Sequence, residues 1–324
     1  MTAPSPAPPI ARLAARALAG DLFSWTCLKS HPGEHAVWRA DGPSGSIVLK
    51  EHRHPRSFPQ ELRAYQDWLP RLEEALRRAE GPRDPVPAAP AGPPIDLDAA
   101  PLARIPVATP ALLAVDVAAR VLALSLAPGA RLSPETCEPT LERRAHAAAG
   151  RFARALHGLA VRDDDPVALV DALRARLARA DDQAASLLTA SERAGLAKLA
   201  RDVDAFAGVP RVPCHRDFTP DNWLVSGTSL IEFDTITIVD FEHARLDAPE
   251  VDLVKLRAEV WPGRPDLEAA FLAGHGPLSA DATARLGVLL ALHAAATLAW
   301  AHRHGDALFR ARGRQALAAA LASA

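Results

Sequence analysis

Hydrophobic and polar positions along the chain change rhythm partway through. Ile10 to Ala19 reads as a short helix ended by Gly20. Three apolar runs follow, Phe23 to Leu28, Ala36 to Ala40 and Ser46 to Leu49. Pro32-Gly33 and Asp41-Gly42-Pro43-Ser44-Gly45 punctuate them, which predicts strands joined by turns. Gln60 to Arg78 carries Leu62, Tyr65, Leu69, Leu72 and Leu76 at helical spacing. Gly81 to Pro110 is rich in Pro and Ala and predicts loop. Ala111 to Val117 and Val121 to Leu126 read as buried strands, and Pro128-Gly129 then breaks the chain.

Beyond the break the pattern turns helical. Ser133-Pro134 and Asp165-Pro166 each combine an N-cap side chain with proline in the first turn, and both predict helix starts. Helical periodicity runs through Leu141 to Leu159, Val167 to Ala180 and Ser191 to Phe206, with a β patch at Trp223 to Phe241 and helices again from Pro249. No internal repeat is visible. The order predicts an α+β, two-lobed layout, with residues 1–127 as the small β-rich lobe and 128–324 as the larger helical one.

Composition narrows the function classes. The 324 residues suffice for two lobes, each with a core, and a formal net charge of −2 gives no basic field. Neither nucleic acid nor a membrane is therefore an expected partner. Cys27, Cys137 and Cys214 are odd in number and far apart, so they form neither a disulfide framework nor a zinc site; a reducing cytoplasm is the expected location. Residues 1–20 have early prolines and Arg12 and Arg16 within the apolar stretch, unlike a signal peptide. Leu286 to Ala301 is apolar but short of the roughly 20 residues that span a bilayer. It carries His293, so a buried core helix is expected.

The informative segment is Cys214-His215-Arg216-Asp217-Phe218-Thr219-Pro220-Asp221-Asn222-Trp223-Leu224-Val225. It contains H-R-D-x-x-x-x-N and leads into apolar residues suited to a strand. Downstream, Thr235 to Val239 runs into Asp240-Phe241-Glu242. Phosphoryl transfer needs a carboxylate near the attacking hydroxyl, oxygen ligands for Mg²⁺ and a cation on the nucleotide phosphates. Asp217 and Asn222 on one tight loop can serve the first two needs, and Asp240 at the end of a facing strand completes a hard-oxygen set. The cation closes an apolar strand in Ser46-Ile47-Val48-Leu49-Lys50, with Glu61 on the next helix; Glu51, Glu73 and Glu74 are rival acids. A Lys–Glu pair of this kind orients nucleotide phosphates.

These motifs resemble the aminoglycoside-phosphotransferase and choline-kinase-like branch of the protein-kinase-like fold. The resemblance covers most of the chain and includes the hinge-like Leu122 to Gly129 and the helix Phe152 to His157. It is strongest at His215 to Val225 and Val239 to Asp252. It implies Asp217 as catalytic base or hydroxyl-orienting group, Asn222 and Asp240 as Mg²⁺ ligands, and Lys50, paired with Glu61, on the α and β phosphates of ATP or GTP. It implies that backbone around Ser125 to Ala127 holds the adenine, with the nucleotide in the cleft between the lobes. The turn Ser30 to His35 has a single glycine and no Gly-x-Gly-x-x-Gly, and the Val225 to Asp240 connection is longer than a simple hairpin, with an extra run Leu230 to Phe233.

A protein kinase fits less well. Ala248-Pro249-Glu250 follows Asp240-Phe241-Glu242 too closely for a peptide-docking activation loop, Glu242 stands where glycine is usual, and Thr219 stands where Ser/Thr kinases commonly have lysine. A small-molecule acceptor is expected, most simply an antibiotic such as an aminoglycoside; a metabolic kinase for choline, a sugar or an amino alcohol is the alternative, and a nucleotide-binding pseudokinase a weaker one. Glu250, Asp252, Glu259, Asp266 and Glu268 would suit a cationic acceptor, although Arg257 and Arg264 are interspersed. Trp261 could stack on a sugar or pack in the core. Asp252 could act in catalysis or brace the catalytic loop. His52-x-His54 and His302-x-His304 read as solvated surface histidines, Cys214 as a small buried residue, and Asp163-Asp164-Asp165 as a helix start. Oligomeric state is not encoded in any of these features.

Overall fold

The computed structural model describes residues 6–18, 24–30, 35–80, 105–132, 137–227 and 235–322. The elements, in chain order, are α1 (Pro8–Leu18), β1 (Ser24–Ser30), β2 (His35–Gly42), β3 (Gly45–His52), α2 (Ser57–Arg63), α3 (Leu69–Glu80), β4 (Val107–Ala108), β5 (Leu112–Asp116), β6 (Val121–Ser125) and β7 (Ala130–Arg131). They continue as α4 (Pro139–His157), α5 (Leu169–Ala184), α6 (Ala190–Ala200), β8 (Val212–Cys214), β9 (Trp223–Ser226), β10 (Thr235–Ile238), β11 (Arg245–Asp247), α7 (Pro265–His275), α8 (Ala280–His304) and α9 (Ala307–Ala322). Contacts group the described residues into two compact units. The first lies within Met1–Ala91, Ile105–Ser133 and Pro220–Ala244, the second within Pro134–Thr219 and Arg245–Ala324. These units differ from the contiguous halves 1–127 and 128–324, because β9 and β10 pair with β4 and β7 in one sheet ordered β4-β10-β9-β7.

In the first unit an antiparallel sheet runs β1-β2-β3-β6-β5. Its two-residue period sorts the side chains. Ala36, Trp38 and Ala40, Ile47 and Leu49, and Val121 and Ala123 line one face, where α1 lies through Ile10, Leu13, Ala14 and Leu18. Each of the larger aliphatics buried there contributes about 1.5–3 kcal/mol. The alternate residues Val37, Val48, Lys50 and Leu124 therefore turn to the other face, around a cavity. α2 and α3 form one continuous helix with a π-helical turn at Ala64–Trp68, in which Ala64, Tyr65 and Trp68 are buried. The Pro128-Gly129 break is a point of close approach: Gly129 has φ +100°, and a side chain there would collide with the backbone carbonyl of Val225.

In the second unit α4 and α7 are in close contact. A Cβ at Gly150 would meet the carbonyl of Phe271, and one at Gly274 that of Ala147, so both glycines are demanded by the crossing. α8 is longer than the apolar run predicted. It is 25 residues long, and an 18-residue stretch within it has a mean hydropathy of 1.5, enough by length and composition to cross a membrane, yet 67% of that stretch is buried. α5, α6 and α9 pack around it, so it is the core helix of this unit.

Several sequence expectations need correction. α4 starts at Pro139, capped by the Glu138 carboxylate on Leu141 N–H at 3.1 Å, while 133–136 fall outside the described residues. α5 starts at Leu169 rather than Asp165; Asp165 instead accepts the Val167 N–H at 3.0 Å, closing an Asx turn before the helix. The helix expected over Ser191 to Phe206 ends at Ala200 and continues as a 3₁₀ segment. The Pro-Ala-rich stretch ends in a short strand, β4, and β7, β8 and β11 are too short for apolar alternation to betray. Leu230 to Phe233 and the centre of the Ser30 to His35 turn lie outside the described residues.

Candidate active site

Lys50 stands on the cavity face of β3, which runs two residues further than the apolar run predicted, to His52. Its Nζ lies 3.0 Å from Glu61 Oε2 and 3.3 Å from Glu242 Oε2, and it contacts Asp240 Oδ1. Burial pulls the ammonium's pKa down, but Asp240, Glu61 and Glu242 outweigh it and hold Lys50 well above its ordinary value. Burial likewise pushes the Glu61 carboxyl up, and Lys50 and His52 reverse that, leaving it below the usual range. Glu61 is thus the acid paired with Lys50, not Glu51, Glu73 or Glu74. His52 is fully buried with Nε2 2.9 Å from Glu61 Oε2, which corrects its reading as a surface histidine. His35 Nδ1 sits 3.3 Å from Glu242 Oε2, and burial lowers its pKa despite that carboxylate.

Asn222 and Asp240 are brought to one end of a strand pair. β9 and β10 are in register at Trp223 and Ile238, and Val239 N–H donates to Asn222 O at 3.0 Å. Asp240 has φ +70°, a left-handed conformation that costs a non-glycine residue energy and recurs at functional sites. The next residue, Phe241, is fully buried edge-on to Tyr65, four positions beyond Glu61, with ring centroids 5.7 Å apart. Lys50, Glu61, Asn222 and Asp240 all line one cavity of about 260 Å³, together with Ser125 and Ala127. Ser125 N–H donates to Ala111 O at 2.9 Å and its Oγ accepts the Ala111 N–H at 2.8 Å, so its own amide closes the sheet edge.

The chemistry of this donor set suits Mg²⁺. An amide and a carboxylate oxygen on one rim, backed by a lysine, fit a hard cation that also takes phosphate and water. His52, Glu61 and Glu242 offer ligand atoms within 4.8 Å of one another, but Glu61 and Glu242 are engaged with Lys50 and His52 with Glu61.

Asp217 belongs to the second unit, on the loop after β8. The loop is tied down by Asp252, whose carboxylate accepts His215 N–H at 3.0 Å and Arg216 N–H at 2.5 Å and meets His157 Nε2 at 2.9 Å. Asp252 is almost fully buried. Burial pushes its pKa up, but the bond and charge of His157, His215 and the backbone N–H hold it below the usual range. It therefore braces the loop that carries Asp217. Turning both amides inward goes with φ +66° at Arg216. Phe218 anchors the far side, stacked 5.8 Å from Phe152 and edge-on to His215 at 5.6 Å. Between these anchors the Asp217 carboxylate, 24% exposed, is in contact with Lys255 Nζ.

Cys214 is fully buried, and burial raises its thiol well above the ordinary value, so the His157–Cys214–Asp252 group is a poor metal site. The acids expected to favour a cationic acceptor are all engaged. Glu250 pairs with Arg285 at 2.6 Å, Glu259 with His293 at 3.6 Å, Asp266 with Arg264 at 2.9 Å and Glu268 with Arg257 at 2.5 Å. Trp261 is a core residue tilted against Phe271. Asp163 and Asp165 pair with Arg211 at 2.9 and 3.6 Å instead of starting a helix. His54, His302 and His304 are exposed, as expected.

Sequence reasoning passed over His35, Tyr65, His157, Glu242 as a Lys50 partner, and Lys255. Lys255 could have been flagged by its place three residues beyond Asp252, on the turn that braces the loop. The histidines carry no such local signal.

A fold and a site of this kind define a small-molecule phosphotransferase. Residues 30–289 match the phosphotransferase enzyme family known as APH, and the chain belongs to that family. Solved structures share the α+β protein-kinase-like fold. The GDP and kanamycin complex of APH(2″)-IIia is 14% identical, with a TM-score of 0.65 over 96% of this chain and 97% of that one. A choline/ethanolamine kinase family protein from Mesorhizobium loti is 21% identical, with a TM-score of 0.58 over 97% and 93%. Macrolide 2′-phosphotransferase MphH from Brachybacterium faecium is 19% identical, with a TM-score of 0.55 over 95% and 97%. No curated protein sequence is significantly similar to the chain.

Proposed function

We propose that this enzyme transfers the γ-phosphoryl group of ATP or GTP to a hydroxyl of a small molecule. The observation that carries the proposal is that Lys50, Asn222 and Asp240 line one and the same cavity, with Glu61 holding Lys50 in place. The acceptor oxygen forms a bond to the γ-phosphorus, the bond to the β,γ-bridging oxygen breaks, and the nucleoside diphosphate leaves. Asp217 orients the hydroxyl and takes its proton, with Lys255 positioning the carboxylate. Lys50 contacts the α and β phosphates, and backbone at Leu126 to Ala127 holds the base. Asn222 and Asp240 would hold Mg²⁺, which supplies neutralisation of phosphate charge.

Kanamycin in the APH(2″)-IIia complex and the macrolide of the MphH name make an antibiotic acceptor one reading. A metabolic acceptor is the second, and a specific observation favours it: the acids that would receive a polyamine are already paired. An ammonium brought to about 4 Å from an arginine is opposed by about 1 kcal/mol in water and about 4 kcal/mol at an effective dielectric of 20.

The test is Mg²⁺-dependent ATP and GTP consumption by purified protein across aminoglycosides, macrolides, choline and sugars, with Asp217→Asn alongside. Acceptor-dependent turnover lost in the variant supports the reading. Absence of nucleotide binding would sink it.

A further inference from the structure

The unit that carries Asp217 holds a further cavity, of about 300 Å³, whose charged lining carries no carboxylate. Arg176, Arg179 and Gln183 of α5 face it, with Arg216 of the catalytic loop, Lys255 and His293. The cavity extends to Lys255, which contacts Asp217, and to Arg216, the residue before it.

The positive charge there is under-compensated. One buried carboxylate, Asp247, serves three guanidiniums: Arg216 at 3.1 Å, Arg176 at 3.3 Å and Arg245 at 3.7 Å. Lys255 is matched by Asp217, and His293 by Glu259. Arg179 has no carboxylate partner among the described residues. Burial lowers Arg216 to about 10 even beside Asp247, with Arg245 and Arg176 pushing the same way. The exposed Arg179 can spread its charge into water, but Arg216 is pinned at φ +66° with its side chain 19% exposed, so an anion bound in the cavity would relieve the repulsion around it.

We propose that the acceptor of this phosphotransferase carries an anionic group, a carboxylate or a phosphate ester, seated against Arg176, Arg179 and Arg216 while its hydroxyl meets Asp217. This rests on the phosphotransferase reading and narrows it: planar guanidiniums recognise carboxylate and phosphate bidentately.

The test uses the full-length protein with Mg-ATP and Mg-GTP on matched acceptors: glycerol, glycerate and glycerol 3-phosphate; glucose, gluconate and glucose 6-phosphate; and kanamycin. The expected result is a kcat/KM at least tenfold higher for an acid or phosphate member than for its neutral parent, and the better of the two names the group. Arg179→Ala should then raise KM for that acceptor about tenfold while changing kcat much less, and Arg179→Lys should recover part of the loss. A preference for neutral members or kanamycin overturns the inference and leaves the phosphotransferase reading standing. If no member turns over, calorimetry with inorganic phosphate on Mg-ADP-loaded protein decides. Binding that Arg179→Ala weakens supports the anion site, and no binding overturns it. Failure to bind any nucleotide strikes the phosphotransferase reading instead, and the same phosphate titration still reads the anion site.

Discussion

His157 Nε2 lies 2.9 Å from Asp252 Oδ2, and the same carboxylate takes the backbone amides of His215 and Arg216. A residue of α4 thereby sets the loop that presents Asp217. Replacing Asp252 with Asn puts an amide N–H against donors and leaves the loop underheld. The variant is expected to lose about 3 kcal/mol of stability, measured by urea unfolding, and to lower kcat more than it raises nucleotide KM. An Asp252→Asn protein as stable as wild type would contradict this role.

Lys50→Met deletes the cation among three carboxylates and keeps the volume of the side chain. Glu61 stays buried with His52 alone, so about 3 kcal/mol of stability should go, with the KM for nucleotide up more than tenfold. Glu61→Gln in the same background should give back part of the stability but not the nucleotide affinity, a pattern visible in a double-mutant cycle.

For Asp217→Asn, loss of the proposed base should lower kcat by about 10²–10⁴ with little change in nucleotide binding. Single-turnover rates and nucleotide titration separate the two. A fall in nucleotide affinity as large as the fall in rate would point to a structural role.

The pH dependence of stability should have a stepped acid limb. Burial lowers the pKa of His35, His146 and His275, so each binds protons more weakly folded than unfolded. Stability should therefore decline as pH drops below about 6.5. Glu61 and Asp252 are depressed in the fold; their contribution is present above the ordinary carboxylate range, about pH 4, and is lost as pH falls through their folded values. Lys50 is raised, so its contribution is complete below about pH 10.4 and disappears only at more alkaline pH. Urea midpoints across pH for wild type and Glu61→Gln check this: the variant should lose part of the steep lower step and keep the shallow one.

Gly274→Ala would drive a methyl group into the carbonyl of Ala147 where α4 and α7 cross. About 3 kcal/mol of destabilisation is expected, seen as a lower Tm, and Gly208→Ala, with open space around its Cβ but φ +74°, should cost less.

The sequence was legible where chemistry and chain order coincide. Lys50 follows an apolar run in β3, so two-residue alternation alone places it on the face opposite Leu49, and Asp217 and Asn222 lie five residues apart in one segment. What could not be read depends on distant partners. His52 looks like a surface residue until β3 meets α2 and Glu61 takes its ring. β8 and β11, three residues each, carry no periodicity; they exist because Cys214 and Arg245 pair across long sequence separation. The charge of the helical half could be read only in part: Asp266 and Glu268 pair with the interspersed Arg264 and Arg257, whereas Glu250, Asp252 and Glu259 take partners from distant segments, Arg285, His157 and His293.

Membership of β9 and β10 in the sheet with β4 and β7 bears on how this enzyme could be recombined with its relatives. A chimera spliced after residue 127 would import β4 without the strand it pairs with, and would take Lys50 from one parent and Asn222 and Asp240 from the other. Exchange of nucleotide preference between family members therefore calls for a graft in two pieces, with Pro220–Ala244 carried along with the N-terminal segment.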